Sequence, residues 1–482
     1  MKILFAASEA APFFKTGGLG DVAGALPKEL AKNEDVEIRV VLPFWKNMKD
    51  EYKAELIDVT HFDVYVGYRR QYCGVKSLKL DGVQYYFIDN MYYFDRDGLY
   101  GYYDDGERFA FFQLAVIEMM EKVGFVPDVL HVNDYHTGFI PFLLKEKYRW
   151  INSYSHIRTV LTIHNMQFQG IYQKDVLWEL YGMGAERYDD GTVVWDGCLN
   201  LLKAGILYAD RVTTVSPTYA QEITTPAFGE GLDQVLRMES GKLSGILNGI
   251  DYDMNNPETD ALIPFNYSAK DLSGKAKNKA ELQRAFGLPV KEDVPVIGMV
   301  SRLSYQKGFH LVLNELTSIL QGDVQVVLLG TGMGDQGKMF EDGFSYFASK
   351  FPEKMSVSIA FDVKIAQLIY AGADLFLMPS AFEPCGLSQM ISMRYGTLPI
   401  VHEIGGLADT VAPYNQYTGE GNGFGFYEFD SYYLREAVER AVEVFANNKK
   451  DWQKLQETAM TSDFSWETSS KVYLDLFKQM NF

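Results

Sequence analysis

Cysteine is scarce: Cys73, Cys198 and Cys385 are the only three in 482 residues. They are far apart, odd in number and form no CxxC pair, which excludes a disulfide framework and a zinc ribbon. Such usage fits a reducing cytoplasm, the expected location. Long apolar runs are missing too. None approaches the ~18 residues a membrane span requires, so no membrane association is expected. The first run, Ile3 to Ala7, stops short of Glu9. It is too brief for a signal peptide and reads as a buried first strand. Positive charge is in deficit, with 45 Lys and Arg against 64 Asp and Glu and a net charge of −19. That balance argues against a nucleic-acid footprint, and any anion site must gather its cations locally. The chain has no internal repeat, no GxGxxG after its first strand, no Walker loop and no HExxH.

What is present is an ordinary globular composition, 47% apolar and 23% charged, with 14% aromatics. The length suggests about three domains, or two large ones. Short apolar runs alternate with helical patterns. Ile3 to Ala7, Ile38 to Leu42, Val129 to Val132, Thr159 to Ile163 and Arg211 to Val215 read as strands, with helices over Gly20 to Lys32 and Glu107 to Val123 between them. This is an α/β pattern, a parallel sheet covered by helices on both faces. After a polar stretch from Asp251 to Lys291 a second series begins: Val296 to Val300, Val324 to Leu329, Val357 to Ala360, Leu375 to Met378 and Leu398 to Val401. Two α/β domains follow, with the change-over near Leu247 to Asp253. Leu434 to Phe477 is helical in period.

Ligands of open α/β sheets bind at the carboxyl ends of strands, so motifs just after strands carry the functional reading. Lys15-Thr16-Gly17-Gly18-Leu19-Gly20-Asp21 follows the first strand. Its glycines permit close backbone approach, and the helix N-terminus behind them would point amides at a ligand. Lys15 adds a charge, and Asp21 is suited to a sugar hydroxyl. The same pattern also fits a plain βα turn. Ser301 to Gly308 opens the second domain with Arg302 and Lys307, a clamp for a diphosphate or simply surface charge. Met378 to Ser388 holds Glu383 in a stiff Phe-Glu-Pro loop, as a fixed carboxylate facing a site. Gly405-Gly406-Leu407-Ala408-Asp409-Thr410 reads as another anion cradle. His131, Asp134, His136 and His164 stand at strand ends, without metal-ligand spacing. Asp251-Tyr252-Asp253 looks like a DxD metal motif but sits at the change-over. Gly330-Thr331-Gly332-Met333-Gly334 is off pattern for a nicotinamide site. The segment Tyr85 to Phe112 is crowded with aromatics, among them Tyr92, Tyr93, Phe94, Tyr100, Tyr102 and Tyr103, and suits either a core or a sugar-stacking surface.

Taken together, KTGGLGDV, TIHN, LNGIDYD, SRLSYQKG, EPCGLSQM, MRYGTLPIV, GGLADTV and DFSW resemble, in order and from Met1 to Phe477, the bacterial glycogen synthases and plant starch synthases. These are family 5 glycosyltransferases with the GT-B fold, two Rossmann-like doubly wound domains facing a central cleft. The resemblance implies residues 1–247 as an acceptor-side domain and 248–455 as a donor-side domain. Residues 456–482 would form a C-terminal helix returning to the first domain. It implies transfer of α-glucose from ADP-glucose to the non-reducing end of an α-1,4-glucan (glycogen or a malto-oligosaccharide), with retention, no metal and no cofactor beyond the donor.

Carried over by motif, Arg302 and Lys307 would hold the distal phosphate, Glu383 would face the transferred glucose, and His164 would help place it. Lys15 and Gly18 would come from the first domain. Asp21, Asp134 and Asn248 would fix sugar hydroxyls. Cys385, Leu387, Gly405 and Gly406 would line the donor side, and Phe361 would stack on the adenine. Arg302, Lys307 and two helix N-termini would take over the work of magnesium. Several positions depart from the family pattern. Ala381 stands where the motif PSRFEPCGL has Arg. His402-Glu403-Ile404-Gly405-Gly406-Leu407 stands where RETGGL is usual. The departures bear on nucleotide contacts, so a transferase using UDP-glucose is the alternative, and a catalytically silent glucan-binding protein the more distant one.

Overall fold

The computed structural model describes residues 1–480, in two compact units. One comprises Met1–Asn248 and the chain from Trp466 on; the other is Gly249–Ser465. Among the described residues no helix is long and apolar enough to cross a membrane.

The first unit is built on a nine-stranded sheet. Its order is Leu243–Gly245, Arg211–Thr214, Arg158–Ile163, Val129–Asn133, Lys2–Ala6, Glu37–Pro43, Val83–Asp89, Arg69–Leu80, Ile57–Val66. The central strands are parallel and apolar along their length, because helices cover both faces. Ile3, Leu4, Phe5 and Ala6 are all fully buried. Helix Gly18–Leu30 turns Leu19, Val22, Ala23, Leu26 and Leu30 inward at helical spacing. The last three strands at one edge are joined in antiparallel fashion, the final turn through Asp81 and Gly82, both with positive φ. None of these three was expected from the sequence. Part of the aromatic-rich segment lies here: Tyr85, Tyr86 and Phe87 are core, as are Tyr93 and Phe94, while Tyr92 and Tyr103 are exposed.

The second unit has one six-stranded parallel sheet, in the order Met355–Ile359, Gln325–Gly330, Val296–Val300, Leu375–Met378, Leu398–His402, Phe424–Phe426. Its helix Phe309–Gln321 buries Leu311, Val312, Leu316, Ile319 and Leu320.

The returning helix begins later than residue 456. Helix Lys449–Thr461 belongs to the second unit and buries Trp452, Leu455 and Ala459 there. The chain breaks at Ser462 to Ser465, and helix Trp466–Lys478 then joins the first unit. The apolar stripe changes core at that break. Tyr473 and Phe477 bring their rings to 5.6 and 5.8 Å from His131, and Ser469 Oγ donates to the Leu247 carbonyl at 2.6 Å. Positions 481–482 of the expected helical segment lie outside the described residues. Asp251 of the DxD sequence caps a turn: its Oδ1 accepts from the amides of Asp253 and Met254 at 2.8 and 3.1 Å.

Candidate active site

In the first unit, Lys15, Gly18, Asp21, Asp134 and His164 follow the carboxyl ends of three adjacent strands, Lys2–Ala6, Val129–Asn133 and Arg158–Ile163, while Asn248 follows the edge strand Leu243–Gly245. The glycine turn does not present all its amides outward as expected. Glu9, 2% exposed, fills the start of helix Gly18–Leu30 from within. Its Oε1 accepts from Gly17 N at 3.1 Å and Gly20 N at 3.0 Å, while Oε2 accepts from Thr16 N at 3.1 Å and Thr16 Oγ1 at 2.6 Å. The Tyr100 hydroxyl lies 3.2 Å from Oε2 and 2.6 Å from Ser8 Oγ. A buried carboxylate bonded to helix amides is the electrostatic partner that terminus favours. Glu9 therefore braces the turn, and Gly18 sits in open space, with nothing near the position of an added Cβ. Sequence reading passed over Glu9, although it stands just beyond a strand end and before the glycines.

Lys15 and Asp21 pair with each other, Nζ to Oδ1 at 2.5 Å, with side chains 45% and 34% exposed. Exposed pairs contribute about 0–1 kcal/mol. Lys15→Ala is thus expected to leave the unfolding midpoint unchanged while lowering turnover. Unchanged kinetics would remove Lys15 from the site.

Asp134 has φ +53°, a left-handed conformation that Asp tolerates better than most residues. Its Oδ1 accepts from His164 N at 2.7 Å, and burial pushes its carboxyl up to about 7. Burial pushes His164 down to about 3, so the ring is neutral. Its tautomer follows from its neighbours. Asn133 Nδ2 donates to the Ala6 carbonyl at 3.0 Å, which turns Asn133 Oδ1 towards His164 Nε2 at 2.9 Å. That oxygen only accepts, so the proton sits on Nε2 and Nδ1 is the acceptor. His131 and His136 are also pushed down to about 3 by burial, and stand as core residues. Asn248 is buried, with no hydrogen-bond partner for its Oδ1 among the described residues, an acceptor awaiting a donor.

In the second unit, loop Ser301 to Gly308 follows strand Val296–Val300, and loop Pro379 to Leu387 follows the adjacent strand Leu375–Met378. Lys307 Nζ meets Glu383 Oε2 at 2.7 Å. Ser380 Oγ donates to the same oxygen at 3.0 Å, and Glu383 is 7% exposed. Arg302 is exposed, and no carboxylate pairs with it among the described residues. The two loops interlock: Ala381 N donates to the Gln306 carbonyl at 2.8 Å, and a Cβ on Gly308 would lie 1.9 Å from the Pro379 oxygen. Gly308 also has φ +76°. Gly308→Ala is therefore expected to cost about 2 kcal/mol or more, measured as a lower denaturation midpoint. A change under 0.5 kcal/mol, the order of an inert surface substitution, would contradict it.

The second glycine cradle also differs from expectation. Gly406 N donates to the Glu383 carbonyl at 3.0 Å, and a Cβ there would lie 2.1 Å from the Cys385 oxygen. Gly405 (φ +49°) and Gly406 let helix Gly405–Thr410 press against the Glu383 loop, so this turn, too, is at least partly a brace. Cys385 is buried and Leu387 half-buried beside it. Phe361 is 90% exposed, just ahead of helix Val363–Gly372. Among the described residues no group of three His, Cys, Asp or Glu side chains is arranged to hold a metal.

Known proteins are similar to this chain. The starch synthase catalytic domain model matches residues 2–238, and the glycosyl transferases group 1 model matches residues 282–459. A glycogen synthase of Ligilactobacillus salivarius is 62% identical over 480 residues, covering 100% of both chains, and one of Streptococcus mutans is 58% identical over the same span. The chain belongs to the glycogen synthase family. It is a glycosyltransferase. Among solved structures, the catalytic domain of starch synthase IV from Arabidopsis thaliana, bound to ADP and acarbose, superposes with a TM-score of 0.90 at 33% identity over 99% of each chain. Both Rossmann-like units are thus those of a glycogen synthase of GT-B type. A sucrose-phosphate synthase from Thermosynechococcus elongatus, at 17% identity and a TM-score of 0.60, shares the fold alone.

Proposed function

We propose that this glycogen synthase transfers α-glucose from ADP-glucose to the non-reducing end of an α-1,4-glucan, with retention and without a metal. The observation that carries the reading is the Lys307–Glu383 pair between two neighbouring loops, the first of which also bears Arg302, with no carboxylate partner among the described residues. Breaking the glycosidic bond sends negative charge onto the leaving diphosphate. Fixed cations that meet developing charge lower the barrier most. Arg302 offers a planar fork for the distal phosphate, and Lys307 a point charge shared between phosphate and Glu383. With Gly17, Gly20 and Gly406 amides engaged internally, side chains rather than helix N-termini carry most of this work.

Lys307 and Ser380 both donate to Glu383 Oε2, and Oε1 would stabilise an oxocarbenium-like glucose. Neutral His164, accepting through Nδ1, together with Asp134, Asp21 and Asn248, would fix sugar hydroxyls. The second unit would serve the donor and the first the acceptor, in the cytoplasm, with no nucleic-acid or membrane partner. Supporting the donor assignment are the Arabidopsis enzyme's bound ADP and the exposed Phe361, an open platform for a base. The test is competition between ADP-glucose and UDP-glucose with glycogen as acceptor. A higher kcat/KM for ADP-glucose is expected. Preference for UDP-glucose would overturn the donor while leaving the transfer chemistry in place.

A further inference from the structure

Gln389 lies in the first turn of helix Ser388–Arg394, directly after the loop that carries Glu383, and is fully buried. Its Nε2 faces three oxygens: the Cys385 carbonyl at 3.0 Å, the Gly386 carbonyl at 2.9 Å and Thr410 Oγ1 at 3.1 Å. Thr410, also buried, donates its one hydroxyl proton to the Gly406 carbonyl at 2.7 Å. Towards Gln389 it therefore accepts. Turning the amide over would set Oε1 against two carbonyls that only accept, so the chemistry of its neighbours fixes its orientation.

Gln389 Oε1 has no hydrogen-bond partner among the described residues. It rests against Gly386 (φ +76°), where a Cβ would lie 2.6 Å from it. A buried oxygen without a donor is costly. Methionine has nearly the same shape and would bring no such oxygen. What methionine lacks is the Nε2 donor, so that donor is what sets glutamine apart at this position.

The donor closes a ring of hydrogen bonds. From the Cys385 and Gly386 carbonyls the ring runs through Gln389 and Thr410 to the Gly406 carbonyl, and Gly406 N returns to the Glu383 carbonyl at 3.0 Å. The backbone from Glu383 to Gly386 forms the remaining side. The two turns joined in this way follow the paired strands Leu375–Met378 and Leu398–His402. One carries Glu383, and the other is the glycine turn at Gly405 and Gly406.

We propose that Gln389 is a positioning residue for the transfer step. Through Thr410 it locks the Glu383 loop to the glycine turn beside it, and so fixes where the Glu383 carboxylate stands. The inference rests on the role given to Glu383.

The experiment measures kcat and donor KM by ADP release with glycogen as acceptor, together with denaturant melts. The proteins are the wild type, Gln389→Met, Thr410→Val, Thr410→Ser, the double variant Gln389→Met/Thr410→Val, and Glu383→Gln. Gln389→Met and Thr410→Val are each expected to lose about tenfold in kcat, the order of one hydrogen bond, with the donor KM little changed. Thr410→Ser keeps the hydroxyl and is expected to keep kcat. Because the two side chains act in series, the double variant is expected to lose no more than Gln389→Met alone. A residue that only holds the fold would lower the melting midpoint and leave kcat of the folded enzyme in place; that result overturns the proposal. So does a Thr410→Ser loss equal to that of Thr410→Val, or a double variant whose losses multiply. Should Gln389→Met not fold, Thr410→Val against Thr410→Ser decides by the same comparison of kcat. Full activity in Glu383→Gln would instead strike at the underlying role.

Discussion

Lys307→Met is expected to lower turnover by about 10²–10³, the loss typical when one preorganised group facing transition-state charge is removed. It is also expected to lower stability by more than Glu383→Gln does. The asymmetry comes from burial. Lys307 is 20% exposed at its side chain and Glu383 10%. Removing the lysine leaves a nearly buried carboxylate held by the Ser380 hydroxyl. Breaking a buried pair from one side costs about 3–5 kcal/mol, and the partial exposure here places the expected loss at the low end. Glu383→Gln leaves an ammonium that can turn to water. The double variant should recover part of the stability and none of the activity. Denaturant melts of the three variants with single-substrate kinetics check this. Equal melts, or a Lys307→Met enzyme within tenfold of wild type, would contradict the pair's assignment.

Asp134→Asn is expected to move stability and activity in opposite directions. Burial pushes the folded-state carboxyl up to about 7 from an unfolded value near 3.8. Between about pH 4 and 7 the folded chain therefore holds a proton that the unfolded chain has released. Stability falls as pH rises across that window and stays low above pH 7. Asn carries no charge to desolvate, tolerates the left-handed backbone and still offers an oxygen to His164 N. At pH 8 the variant should gain about 1–3 kcal/mol, below the ~4 kcal/mol upper bound set by 1.36 kcal/mol per pKa unit. At pH 4 the gain should vanish. Turnover should fall about 10–100-fold, because a charged acceptor for a sugar hydroxyl contributes about 1.5–3 kcal/mol. Stability unchanged at pH 8 would refute the buried-charge account.

The alternation of buried apolar strands with amphipathic helices was readable because parallel sheets hide both faces. Val296–Val300 and Leu375–Met378 fall where the sequence put them. The antiparallel edge was not read, since in Ile57–Val66 the inward Phe62, Val64 and Val66 alternate with exposed His61, Asp63 and Tyr65 and form no continuous apolar run. Its best clue was Asp81-Gly82, a strong hairpin signal. Motif glycines showed where loops must pack closely, yet not what they pack against. Only coordinates show Glu9 within the first turn and the Glu383 carbonyl on Gly406. Likewise Ser380 and His402 lie 22 residues apart in sequence and meet through neighbouring strands. The break at Ser462 to Ser465 escaped notice because helical periodicity continues on both sides of it.

The central claim is that Glu383, held by Lys307, works on glucose leaving ADP. Its most direct test is ADP release from ADP-glucose with glycogen, in a chelator, by the wild type and Glu383→Gln. Release that requires glycogen and falls by at least about 10² in the variant is the predicted result. Equal release by both proteins, or none from the wild type with any glucan, would contradict it.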